Sequence, residues 1–391
     1  MKDYYCNQKF YQLNLDFEKR ILNSCCKSDN EVIDAEWLEK NPGQIFNTPN
    51  LLQERRSMLN GERVQSCEKA CWINEENESW SRRLRFKGHE KTHTKLTNTP
   101  TYLDLQLSSE CRLACSYCCK QYSSTWRNDI LVNGDYDKLE NLGDRYKANS
   151  VDKAVAKLSQ KKLQKLKHIK LLENEIKIMA DKLESVTIGG GEPFQSHQFV
   201  DTVGKFRNVK YLTIHTGLGV SESVLRRCLD VLCKNKHNVT LQVSAESTGE
   251  NFEFNRYGSD WETFLKYIDI IKQTGIEIIF NMTYANLNVI DFVKFNSTFE
   301  SYKRNLNLVY EPNFLSVYNL DEDTKNSVIE AVSKSKFSNT KDATSLLNTI
   351  KREPDENAQK DLAYFVGELC KRRKNSIDYM PVSFRKWINV D

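Results

Sequence analysis

No stretch of this 391-residue chain approaches the roughly 20 consecutive apolar residues needed to cross a bilayer. Its opening, MKDYYCNQKFYQLN, lacks the apolar core of a secretion leader. A large excess of charge of one sign is also missing. The chain has 57 Lys and Arg against 53 Asp and Glu, and a net charge of +4 does not by itself argue for a nucleic-acid or membrane surface. The six histidines, His89, His93, His168, His197, His215 and His237, show no metal-ligand spacing. From these absences we expect a soluble cytoplasmic protein with no membrane partner. A hydrophobic share of 39% with 10% aromatics is modest but well above that of a disordered chain, so the chain is expected to fold. Its length predicts two or three structural units.

Cysteine, by contrast, is abundant. Of twelve, nine fall by residue 119, at Cys6, Cys25, Cys26, Cys67, Cys71, Cys111, Cys115, Cys118 and Cys119; Cys228, Cys233 and Cys370 follow. Without a secretion signal, such grouping points to metal or redox sites rather than a disulfide framework.

Residues 1–95 combine five cysteines with many turn residues, and the segment NPGQIFNTPNLLQERRSML reads as a loop entering a helix. We expect a small, irregular, metal-stapled domain there. From residue 100 to about 320 short strands alternate with helical patterns. The strands are TYLDLQLS (101–108), SVTIGG (185–190), VKYLTIHT (209–216), VTLQVSA (239–245), IEIIFNMTY (276–284) and LNLVYEP (306–312). WETFLKYIDIIKQTG reads as a helix stopped by Gly275. The alternation predicts an α/β fold, a parallel sheet wrapped by helices with functional groups at the carboxyl ends of the strands. A long Lys-rich insertion, about 127–184, has apolar residues at helical spacing. It reads as an amphipathic helix or hairpin, or as a basic surface for an acidic partner. Residues 321–391 read as a helical carboxyl-terminal region.

Directly after the first of these strands comes CRLACSYC, in which Cys111, Cys115 and Cys118 are spaced C-x3-C-x2-C. Three thiolates on one short loop suit three irons of a 4Fe-4S cube and leave the fourth iron open to a ligand. Zinc is the alternative, and it would need a fourth ligand such as Cys119. Cys119 itself reads as a packed neighbour rather than a reactive thiol. The loop resembles the signature of the radical S-adenosylmethionine (SAM) enzymes. TIGGGEPF, at the end of the second strand, is similar to their Gly-Gly-Glu motif. Glycines let the backbone approach a cofactor closely, and carbonyls with the Glu192 side chain accept hydrogen bonds from an ammonium group.

The resemblance implies a partial (β/α)6 barrel that binds SAM and a 4Fe-4S cluster. It assigns cofactor contacts to Tyr117, Gly190, Gly191 and Glu192 and, at later strand ends, to Thr216, Ser244, Glu246 and Arg256. Arg112 stands where many relatives have Asn. The implied chemistry is reductive cleavage of SAM to a 5'-deoxyadenosyl radical that abstracts hydrogen from a substrate. The electron would come from a donor such as flavodoxin or ferredoxin.

The amino-terminal cysteines resemble a twitch domain, a shortened relative of the SPASM domain that holds an auxiliary 4Fe-4S cluster. In the best-known members that domain follows the barrel, whereas here it would precede it. The ligands chosen are Cys6, Cys25, Cys67 and Cys71, with Cys26 as the alternative to Cys25. Four thiolates suit zinc equally well, and buried thiols without metal are a third reading. Because relatives with such domains often act on peptides or proteins, a peptide or protein is the leading substrate class. A nucleotide, nucleic acid or small metabolite is the alternative, and a non-catalytic zinc protein the remote one.

Overall fold

The computed structural model describes all residues except 1–3, 78–80, 87–95, 97–98, 140–141, 143, 150–151, 153–166, 207, 235–237 and 391. In chain order its strands are β1 (Gln12–Asp16), β2 (Ile21–Asn23), β3 (Glu31–Val32), β4 (Tyr102–Gln106) and β5 (Ala114–Cys115). Then come β6 (Ser185–Gly189), β7 (Tyr211–Thr216), β8 (Asn238–Ser244), β9 (Arg256–Tyr257), β10 (Glu277–Tyr284) and β11 (Lys303–Leu308). The chain divides into two compact units.

The first unit comprises Met1–Ser108, Ser159–Ile214 and Asp230–Val239. Its sheet runs β3-β2-β1-β4-β6-β7. The pairs β1·β4, β4·β6 and β6·β7 are parallel, whereas β1·β2 and β2·β3 are antiparallel. Period-two patterning fixes its faces. Leu103 and Leu105 of β4, Val186 and Ile188 of β6, and Leu212 and Ile214 of β7 are fully buried, and their neighbours Tyr102, Asp104, Thr187 and Thr213 are half-buried. Each buried Leu or Ile contributes about 1.5–3 kcal/mol. The helix Lys167–Met179 buries Ile169, Leu172, Ile176 and Met179 along one stripe. Its Glu175 carboxylate accepts from the backbone N–H of Gly43 (2.6 Å) and Ile45 (3.1 Å), which ties the amino-terminal loop to this helix. The predicted loop-to-helix segment ends in the helix Pro49–Leu59, capped by Thr48 Oγ1 on the Leu51 N–H and started by Pro49.

The second unit comprises Ser109–Leu158, His215–Leu229 and Thr240–Asp391. Here β8, β10 and β11 pair in parallel, and β5 pairs antiparallel with β9. The helix Trp261–Thr274 is capped by Asp260 and stopped by Gly275 at φ +78°, the left-handed stop that its sequence predicts. Phe264, Phe280, Phe295 and Phe299 form an aromatic core, with the Phe280 and Phe299 centroids 4.4 Å apart. A second aromatic group surrounds the fully buried Trp126, with Tyr136, Tyr146 and Phe365 against it. The carboxyl-terminal region is helical, as expected, over Glu322–Lys334, Lys341–Ile350 and Glu356–Arg373.

The protein therefore has the expected α/β class with parallel strands, and all six expected strands are present. The last is displaced: β11 begins at Lys303, three residues before the expected LNLVYEP. Strands β1–β3 were not foreseen, because QLNLD is short and its partner β4 lies about ninety residues on. The middle of the Lys-rich insertion lies outside the described residues. No helix is long and apolar enough to cross a membrane among the described residues.

Candidate cluster and cofactor site

In the second unit the loop bearing Cys111, Cys115 and Cys118 is pinned through its backbone. The Cys111 N–H donates to Ser124 Oγ (3.1 Å), and the Cys111 carbonyl accepts from Ser124 Oγ (3.2 Å) and Thr125 Oγ1 (2.8 Å). Ser123, the N-cap of the helix Ser124–Asn133, donates its hydroxyl to the Leu113 carbonyl at 2.6 Å. Trp126 Nε1 donates to the Cys115 carbonyl at 2.8 Å. Ser116 is held by Asn255 twice, N–H to carbonyl at 2.8 Å and hydroxyl to Oδ1 at 2.7 Å. The Cys118 N–H closes a turn onto the Cys115 carbonyl at 2.9 Å. These bonds hold the backbone that carries the three thiols. Cys115 is buried, Cys111 and Cys118 are partly exposed, and Cys119 is buried beside them. Burial pushes the Cys115 thiol up against the pull of the Arg256 guanidinium, and the bond to Cys119, with burial, pushes Cys118 well up.

Three predicted cofactor residues of this unit meet in one buried network. Tyr117 donates its hydroxyl to both Glu246 oxygens at 3.0 Å, Arg256 Nη1 donates to the same hydroxyl, and Arg256 lies 3.6 Å from Glu246. The β5·β9 pairing sets Cys115 opposite Arg256 and so brings the guanidinium to the cysteine loop. Burial raises Glu246 above the usual carboxylate range even though Arg256 and Tyr117 pull it down. Arg256 Nε is buried with no hydrogen-bond partner among the described residues. It is a donor held in reserve beside the thiols.

The remaining predicted contacts are separate. Thr216 is buried and its Oγ1 accepts from the Leu218 N–H at 2.9 Å, shaping a turn in which Leu218 has φ +58°. Ser244 is half-buried at the end of β8, in register with Asn281 of β10.

In the first unit β6 runs directly into the Gly-Gly-Glu segment. Gly190 has φ +117°, and a Cβ there would stand 2.6 Å from the Ser108 carbonyl oxygen. The Gly191 N–H donates to that same oxygen at 2.8 Å. Only glycine allows this approach, and it leaves bare backbone at the carboxyl end of the sheet. Glu192 is buried, and its carboxylate accepts from the Phe194 N–H at 3.2 Å, capping the short helix Pro193–Gln195. A structural duty is thus built into the predicted ligand.

The amino-terminal cysteines also gather. Cys6, Cys67 and Cys71 share one packed cluster with Tyr5, Phe10, Met58, Val64 and Trp72. Cys25 is buried and its thiol donates to Gln8 Oε1 at 3.6 Å, whereas Cys26 is exposed. Buried Lys9 reaches Glu54 (2.6 Å) and Ser66 (3.1 Å), next to Cys67. Arg83 pairs with Glu75 and lies over the Trp72 ring, next to Cys71. Burial pushes Cys67 up to about 11.

Three thiols on one loop match the three protein-held irons of a 4Fe-4S cube. Among the described residues no three His, Cys, Asp or Glu side chains converge on a single metal position. A four-iron cube takes each thiolate on a separate iron and does not need that convergence. Sequence reasoning missed the anchors Ser123, Ser124, Trp126 and Asn255. The Ser-Ser-Thr-Trp run after the cysteines is a legible N-cap signal, but Asn255 is far away in sequence and gives none.

The family model for the radical SAM superfamily matches residues 105–296. No curated protein matches the chain in sequence. Similar solved structures include SuiB of Streptococcus suis bound to S-adenosylmethionine, at 14% identity and a TM-score of 0.31, covering 82% of this chain and 67% of that one. SuiB bound to the precursor peptide SuiA gives 14%, 0.34, 84% and 70%. For anSMEcpe with bound AdoMet and the Cp18Cys peptide the values are 14%, 0.36, 65% and 63%, so the chain spans less than two thirds of that protein. Likenesses this slight carry no argument about function. The family match, together with the pinned three-cysteine loop after β4, identifies residues 105–296 as a radical S-adenosylmethionine domain.

Proposed function

We propose that this protein is a radical SAM enzyme that holds a 4Fe-4S cluster on Cys111, Cys115 and Cys118 and takes hydrogen from a peptide or protein substrate. The observation that carries the reading is the three-cysteine loop, whose backbone is hydrogen-bonded to Ser123, Ser124, Thr125, Trp126 and Asn255. When bound, the cluster and SAM supply the reducing electron, donated by a flavodoxin or ferredoxin, and the hydrogen-abstracting radical.

The chain's own residues orient and exclude. Arg256 offers its Nε to an anionic group beside the cluster, while Glu246 and Tyr117 hold the guanidinium in place. Gly190 and Gly191 present bare backbone, and Glu192 an acceptor, to the SAM ammonium group; Thr216 and Ser244 are further polar contacts at strand ends. In the amino-terminal region Cys6, Cys25, Cys67 and Cys71 hold an auxiliary cluster. A peptide or protein substrate is favoured by that grouping, which resembles the twitch arrangement.

Anaerobically reconstituted protein with dithionite is expected to cleave SAM to methionine and 5'-deoxyadenosine without added substrate. Replacing Cys111, Cys115 and Cys118 together by Ala should abolish cleavage, and cleavage that persists in the triple variant refutes the assignment.

A further inference from the structure

The polar face of the first unit's sheet carries one charged group that its surroundings leave unused. Asn14 of β1, Asp104 of β4, Thr187 of β6 and Thr213 of β7 stand in register across four parallel strands, all half-buried. The members flanking Asp104 are engaged. Asn14 Oδ1 accepts from Gln12 Nε2 (2.7 Å) and Asn14 Nδ2 donates to Asn23 Oδ1 (2.7 Å), while Thr187 bonds the Tyr102 hydroxyl (3.1 Å). Asp104 makes no hydrogen bond or ion pair among the described residues. A carboxylate kept in partial burial without a donor is costly, and a fold that needed only packing would place an apolar or neutral residue there. β4 is also the strand that leads, two residues past its end, to Ser108, the carbonyl against which Gly190 packs.

We propose that Asp104 anchors a cationic group of the substrate, the side chain of a lysine or arginine or the amino terminus of a peptide, on this polar face. The inference rests on the peptide-substrate reading above. A cation answers the site best because an ionised carboxylate only accepts hydrogen bonds and an N⁺–H donor gives the stronger bond. The row of satisfied neighbours holds the carboxylate in a fixed setting, so little ordering is lost on binding. Burial also raises Asp104 to about 6, with Cys26 adding to the rise and Arg82 opposing it, so the group is ionised near neutrality and ready to pair. Tyr102 is the other titratable group in electrostatic contact with it. Arg82 makes no ion pair with Asp104 and leaves the position to a ligand.

The test uses reconstituted, SAM-loaded protein and four probes: the N-acetyl amides of lysine, arginine, leucine and glutamate. Binding is followed by ligand-observed NMR titration. The two cationic amides should bind about ten-fold or more tightly than the glutamate amide, the scale of one charge-assisted hydrogen bond. Asp104→Asn should erase the preference, Asp104→Glu should restore part of it, and Arg82→Gln, which removes a like charge, should widen it. Equal binding of the four amides, absence of binding included, overturns the proposal, as does a preference that survives in D104N. The wider reading is judged separately: failure of the wild-type protein to cleave SAM refutes the enzyme assignment, whereas cleavage without cation preference refutes only the role of Asp104.

Discussion

Asp104→Asn should stabilise this protein above pH 6 and not below pH 4. Burial, the larger cause, and Cys26 move the folded-state value from its ordinary 3.8 to about 6, with Arg82 opposing. The sign follows from proton counting. Between those two values the folded protein still holds a proton that the unfolded chain has released, so stability is full below about 4 and is lost as pH rises to about 6. The displacement corresponds to at most about 3 kcal/mol, reduced by whatever water reaches the half-buried group. Asparagine is nearly isosteric with the protonated acid and does not titrate. The variant and the wild type should therefore unfold alike at low pH and diverge through the window until the variant is ahead by about 1–3 kcal/mol at pH 8. Guanidinium unfolding of both proteins, anaerobic and at constant ionic strength, reads the difference at each pH and cancels any shared acid sensitivity of a cluster. A difference that is constant across pH, or a wild type more stable than the variant at pH 8, would refute the reasoning.

Three further outcomes are expected. Gly190→Ala should cost about 2–4 kcal/mol, since it combines a φ of +117° with a Cβ 2.6 Å from the Ser108 carbonyl, while Gly275→Ala, at φ +78° with nothing nearby, should cost about 1–2. Equal losses on urea unfolding would count against the contact. Glu246→Gln should destabilise more than Arg256→Met in the same assay, because a buried arginine cannot shed its charge whereas Glu246, already raised by burial, can take up a proton; the losses should lie near 3–5 kcal/mol for the first and below that for the second. The variant lacking Cys111, Cys115 and Cys118 should keep about four irons per chain on reconstitution and lose them when Cys67 and Cys71 are also changed. Retention of zinc instead would make the amino-terminal site a structural staple.

What could be read from the sequence and what could not divide along one physical line. Cys111, Cys115 and Cys118 stand out in the sequence because one short loop carries all three at a spacing that resembles a family signature. The Gly190–Glu192 segment is legible for the same reason, since the need for glycine is a backbone matter at a strand end. The helix Trp261–Thr274 announces its own cap and stop. The anchors are not local. Asn255 reaches Ser116 only through the β5·β9 pairing, a ribbon two residues long that no periodicity marks. Strand β1 joins the sheet by pairing with β4 across a cysteine-rich stretch, and its QLNLD pattern is too short to stand out from turn-rich surroundings.

Asp104 shows the limit most clearly. In sequence it is the polar half of an alternating TYLDLQLS, and alternation predicts only that it faces away from Leu103 and Leu105. Its importance arises from register, which seats it between Asn14 and Thr187 after both have found other partners. A side chain's unmet valence is a property of its neighbours, and those neighbours are fixed only once the strands have paired. The same holds for Arg256, whose identity the family pattern supplies but whose spare Nε appears only when Tyr117 and Glu246 have taken up the rest of the guanidinium's surroundings. The cysteine spacing therefore points to a class of chemistry, while the groups proposed to hold a substrate are those the fold leaves unsatisfied. Of these, Asp104 is the one whose removal should make the protein more stable while weakening its hold on a cationic ligand, a pairing of effects that a purely structural carboxylate would not produce.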